Sequence, residues 1–179
     1  MVLDKFINKF RKEKKSKKSI HYFADFKQFR ARFFDSPYHL WIKEDISIVR
    51  SFDHLFDLLT LEQVDKLFIK TNVVFLKGNG KISCSLPSLP NTHFILVFPE
   101  LLQLLKSASP THSLAIIAHE LGHILYEHNQ NSIHPIIAQF EADQFVCSLG
   151  LKKELIDVLN DYKYLEECQV RIKKLKLDM

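Results

Sequence analysis

Apolar positions first fall into a helical rhythm. In HYFADFKQFRARFF (residues 21–34), Tyr22, Phe26, Phe29 and Phe33 line one helical stripe, and Ser36-Pro37 ends it. Residues 38–50 alternate over short stretches and read as strand. Residues 52–70 look helical again, in two pieces. Thr60 with Gln63 three residues later has the capping-box pattern. Val73–Leu76 is a β-rich run, and Gly78-Asn79-Gly80 after it predicts a hairpin with Ile82–Leu86. Pro87 to Pro90 read as loop, and His93–Phe98 is the clearest strand. Pro99 suits the first turn of a helix running to about 107. After Ser109-Pro110-Thr111 the spacing predicts a long helix over about 112–128, then one over about 134–149 closed by Gly150. Lys152–Leu159 and Tyr162–Leu177 read as final helices. The sum is an α+β domain, with a small early sheet and a helical C-terminal half.

Composition sharpens this picture. The 179 residues suffice for one core, and 46% hydrophobic with 26% charged is ordinary for a soluble domain. Fifteen Phe against four Gly favour helices over loops. No apolar run approaches about 18 residues, so no transmembrane helix is expected. Cys84, Cys147 and Cys168 are odd in number and form no CxxC, which reads as free thiols in a reducing, cytoplasmic compartment. Residues 1–20 hold eight Lys or Arg against Asp4 and Glu13, a surplus of six; with +4 overall, the rest carries two net negative charges. The basic character therefore belongs to an N-terminal arm (1–20), ahead of a single domain (21–179). Val2, Leu3, Phe6, Ile7 and Phe10 give the arm an apolar face. Such a segment can lie on an anionic membrane surface, although a charge run is more often a solvated lead-in. No nucleic-acid partner is expected.

The chemistry concentrates in AHELGHILYEH, from Ala118. His119 and His123 lie four apart, about 40° round a helix, so both imidazoles leave one face. That spacing suits two nitrogens on one Zn²⁺. Glu120, about 100° round from His119, flanks the same position and can serve as general base toward a metal-activated water. The bare motif arises by chance, but Leu114-Ala115-Ile116-Ile117-Ala118 before it is apolar, and titratable groups in a buried helix are costly unless used. Gly122 in mid-helix costs about 1 kcal/mol relative to Ala, which points to close packing. His128 and His134 fit a surface or loop role better than ligation. The oxyanion-stabilising group is open among Tyr126, Tyr162, Tyr164 and Arg171.

The stretch HFILVFPELLQLLKSASPTHSLAIIAHELGHILYEH, with FEADQFVCSLG downstream, resembles the HtpX-like gluzincin peptidases, which include the CAAX prenyl endopeptidase. The resemblance covers roughly residues 92–155. It implies a zincin-like fold, His119 and His123 as zinc ligands, Glu120 as general base and Asp143 as the carboxylate orienting the first histidine. The ligand glutamate of that family falls on Gln139 here. Glu141, the one glutamate in the segment, is then the first candidate for third ligand, although it sits about 200° round the helix from Gln139 and Asp143. Asp143 is the alternative. The expected activity is zinc-dependent endopeptidase action on a protein or peptide, with His93–Phe98 as the strand edge for an extended substrate. The spacer is also as short as in the ImmA/IrrE-like peptidases, which leaves a regulatory peptidase as a second reading. A non-catalytic module on the same fold is a third, favoured by Gln139.

Overall fold

The computed structural model describes residues 26–78, 84–89, 92–128 and 131–177. The basic arm (1–20) and Tyr22 lie outside the described residues. The chain is an α+β domain, mostly helical around one small sheet. Helix α1 covers 26–35, followed by a 3₁₀ turn (Pro37–His39), α2 (Leu40–Lys43) and α3 (Ile46–Leu58). The short α4 (Leu61–Val64) runs on as a π-helical turn, Asp65–Lys70. Three strands follow: β1 (Asn72–Lys77), β2 (Cys84–Leu89) and β3 (Thr92–Val97). Then come α5 (Pro99–Leu105), α6 (Thr111–Leu125), α7 (Pro135–Ser148), α8 (Lys152–Asp161) and α9 (Glu166–Leu177).

Phenylalanines build the N-terminal core. Phe29 and Phe33 of α1 are buried against Phe56 of α3, with ring centroids 5.1 and 4.8 Å away, and Phe52 meets Phe75 of β1 at 4.9 Å. Edge-on pairs of this kind add about 0.5–1.5 kcal/mol each beyond their burial. Residues 38–50 are helical, not strand. Asp45 caps α3 by accepting the Ser47 N–H at 3.0 Å, and the apparent alternation is the start of a 3.6-residue rhythm. Ile46 is exposed, while Ile48, Ser51, Phe52, Leu55 and Phe56 are buried. The capping box at Thr60 and Gln63 is present in both directions.

The sheet order is β1-β3-β2, with β1 parallel and β2 antiparallel to β3. The expected hairpin of Val73–Leu76 with Ile82–Leu86 lies partly outside the described residues, and within them Cys84–Leu86 pairs with β3 and not with β1. β1 is buried at three consecutive residues, Val73, Val74 and Phe75, as a strand covered on both faces is. β3 takes the place beside it, and β2 spans Pro87 with a register shift between Pro87 and Leu89. β3 is therefore the central strand, flanked on both sides, and it cannot offer the edge expected of His93–Phe98. The outer side of β1 is also occupied. Phe75 N–H donates to His39 Nε2 at 3.1 Å, and Trp41 Nε1–H donates to Phe75 O at 3.2 Å. Among the described residues, β2 has no strand on its outer side.

α6 runs through the centre of the C-terminal half, packed on α3, α5, α7 and α8 and touching β2. Leu114, Ala115, Ile117, Ala118, Leu121 and Ile124 bury its faces. Gly150, at φ +80°, ends α7. Its N–H reaches Cys147 O at 3.0 Å, and the Leu151 N–H reaches Val146 O at 3.2 Å, the glycine-closed turn expected there. Cys147 and Cys168 are free thiols. No helix among the described residues is long and apolar enough to cross a membrane.

Candidate metal centre

The centre lies where α6 crosses α7, and a missing side chain sets the crossing. A Cβ added to Gly122 would stand 3.0 Å from Ala142 Cα and 3.2 Å from Ala142 O. Glycine therefore lets the two backbones touch, the close packing expected of it. The contact point is bracketed by chemistry. His119 and His123 stand three residues before and one after Gly122; Gln139 and Asp143 stand three before and one after Ala142.

Asp143 is buried and lies 2.9 Å from His119 Nδ1. Arg171 of α9, also buried, grips the same carboxylate with two N–H donors, Nε to Oδ2 at 2.9 Å and Nη2 to Oδ1 at 2.6 Å. Burial pushes the Asp143 carboxyl up, but the hydrogen bonds from His119 and Arg171 outweigh it and hold the group below its ordinary range. An ionised Asp143 can only accept, so His119 carries its proton on Nδ1 and presents a lone pair at Nε2.

That nitrogen meets Gln139 Oε1 at 2.9 Å and His123 Nε2 at 3.1 Å, and Arg171 Nη2 stands 3.5 Å from it. With the amide oxygen of Gln139 turned inward, this lone pair and that oxygen share no hydrogen, an arrangement that a cation between them stabilises. Donors about 2.0–2.1 Å from a tetrahedral ion stand about 3.3–3.4 Å apart, near the observed spacings. His119, His123 and Gln139 therefore fit a small divalent metal. Burial first, then the neighbouring His119 and His128, lowers His123 to about 4, so its ring is neutral at physiological pH.

Glu141 is not at this point. Its carboxylate lies 2.8 Å from His128 Nε2. α7 is unbroken from Pro135 to Ser148, and the face it turns to α6 carries Gln139, Ala142 and Asp143, with Glu141 about 160–200° round from the donors. His128 departs from the surface role expected of it. It is buried, with Nδ1 2.9 Å from His123 Nδ1 and its ring stacked on Tyr126. His134 is exposed at the start of α7. Glu120 is half-buried on α6 beside the histidine pair. Of the oxyanion candidates, Arg171 is committed to Asp143, while Tyr126, Tyr162 and Tyr164 are exposed.

Among the described residues no cluster of three or more His, Cys, Asp or Glu side chains could hold a metal, because the third donor at the pair is an amide oxygen. Residues 88–163 match the model of Peptidase family M48. No curated protein matches the chain, and no solved structure does. The matched segment is less than half of the chain and runs from β2 through α8. It contains every residue of the centre except Arg171. This likeness supports a metallopeptidase type of function acting on protein or peptide.

Proposed function

We propose that the chain is a zinc-dependent endopeptidase with His119, His123 and Gln139 as metal donors. The observation that carries this reading is the approach of two donor atoms to His119 Nε2, Gln139 Oε1 at 2.9 Å and His123 Nε2 at 3.1 Å. Zinc, when bound, supplies the Lewis acidity that acidifies water and polarises a carbonyl. The protein supplies the rest. Asp143, clamped by Arg171, fixes the ring of His119. Glu120 takes the proton of the attacking water on its carboxylate and returns it to the departing amine nitrogen. An extended peptide would pair with the outer side of β2, the strand that touches α6. The basic arm remains a proposed contact to an anionic membrane surface, and a cytoplasmic location remains an inference from the cysteines.

The test is zinc content by elemental mass spectrometry on protein purified without added metal. About one zinc per chain is expected, lost in His119→Ala and reduced in Gln139→Ala. Loss in Glu141→Ala with retention in Gln139→Ala would make Glu141 the third ligand. No zinc, and none taken up at micromolar levels, would remove the peptidase reading. Neutral Gln139 favours a second reading, a binding module on a peptidase fold. Hydrolysis abolished in Glu120→Gln, with zinc retained, decides for the enzyme.

A further inference from the structure

His128 and Glu141 are buried or half-buried beside the metal donors, yet the chemistry above uses neither. His123 Nδ1 lies 2.9 Å from His128 Nδ1, and His128 Nε2 lies 2.8 Å from Glu141 Oε2. Only one proton arrangement satisfies both contacts with neutral rings. The carboxylate accepts, so His128 carries its proton on Nε2 and has a lone pair on Nδ1. That lone pair must receive the proton of His123 Nδ1, which leaves the His123 lone pair on Nε2, facing His119.

The backbone shows that this contact is held at a cost. Glu127 sits at φ +58°, the one non-glycine residue with positive φ among the described residues. A side chain disfavours that conformation by about 1–2 kcal/mol relative to right-handed backbone. The turn closes α6 with Glu127 N–H on Ile124 O at 3.1 Å and His128 N–H on His123 O at 3.1 Å. In such a turn the last residue folds back over the one five positions earlier, normally to join two apolar side chains. Here it folds His128 onto His123.

We propose that Glu141 and His128 are positioning residues that fix His123 as its Nδ1–H tautomer, with Nε2 aimed at the metal position. His123 thereby has a counterpart to the Asp143 support of His119, built from a carboxylate acting through a second imidazole. The consequence for zinc affinity rests on the metal reading above; the tautomer does not.

The experiment uses the full chain, labelled with ¹⁵N-histidine and stripped of metal. Two-bond ¹H–¹⁵N correlations read each ring's tautomer, and competition against a chromophoric chelator reads zinc affinity. The expected result is His123 protonated on Nδ1 and His128 on Nε2. Glu141→Leu, at a half-exposed position, should retain the metal-free melting temperature, lose the single His128 tautomer and weaken zinc binding about 10–100-fold. Glu141→Gln still offers an accepting oxygen and should stay within about threefold of the unmodified chain. His123 protonated on Nε2, or wild-type tautomers and affinity in Glu141→Leu, would overturn the proposal. Expected tautomers in a chain that takes up no zinc would uphold the relay and remove the metal reading.

Discussion

Two turns of the same construction close α6 and α7, and they differ in one residue. Gly150 adopts φ +80° without a side-chain penalty, while Glu127 adopts φ +58° with one. Its carboxylate pairs with Lys66 at 3.5 Å, an exposed ion pair that contributes little. Glu127→Gly should therefore stabilise the fold by about 1 kcal/mol, seen as a raised denaturation midpoint. Glu127→Val should lower it and disturb His128. At this scale the histidine pair was legible, because a four-residue spacing on a helix needs no tertiary knowledge. Arg171 stood out only as an oxyanion candidate: its contact to Asp143 spans 28 residues, and no local pattern announces it. His128 was missed because the turn that buries it lacks the glycine that signals such turns. Gln139 was seen as a departure from a family pattern, but its place beside His119 follows from which face of α7 meets α6.

Between elements, the interval that matters is that of α6 and α7 at Gly122 and Ala142. Both donor sets hang from this contact, so the separation of the helices sets the separation of the donors. In Gly122→Ala a methyl would meet backbone at 3.0 Å, and α7 must retreat by a few tenths of an ångström. The substitution raises helix propensity by about 1 kcal/mol, so a stability assay alone would mislead. The expected outcome is zinc binding weakened at least about tenfold with the fold retained, measured by chelator competition and far-UV circular dichroism. Helix existence was largely legible here: Pro99, Thr60 and Gly150 each mark an end found in the structure. Strand partnership was not. Gly78-Asn79-Gly80 looks like a hairpin turn, but the pairing of β1 with β3 depends on burial of both faces, which the turn residues do not encode.

Across the whole molecule, His39 joins the N-terminal helices to the sheet. Its Nδ1–H donates to Phe33 O at 2.8 Å, its Nε2 accepts from Phe75 N–H, and its ring lies 4.0 Å from that of Phe33. Burial lowers its pKa, since a charged ring would lose water and set Nε2–H against the Phe75 N–H. A depressed histidine contributes stability that is present above the unfolded value of about 6.5 and lost as pH falls below it. The melting temperature should thus fall between pH 7 and 5. His39→Phe should start lower at pH 7, because two buried backbone groups lose partners, and then fall less steeply. That junction also holds the chain's single tryptophan, Trp41, whose indole N–H binds Phe75 O and whose ring faces Phe52 at 6.4 Å. Intrinsic fluorescence is therefore a gauge of one seam, where the helices meet the sheet. An emission shift records that seam parting, and an unchanged emission spectrum says nothing about whether the histidines on α6 have gained or lost an ion.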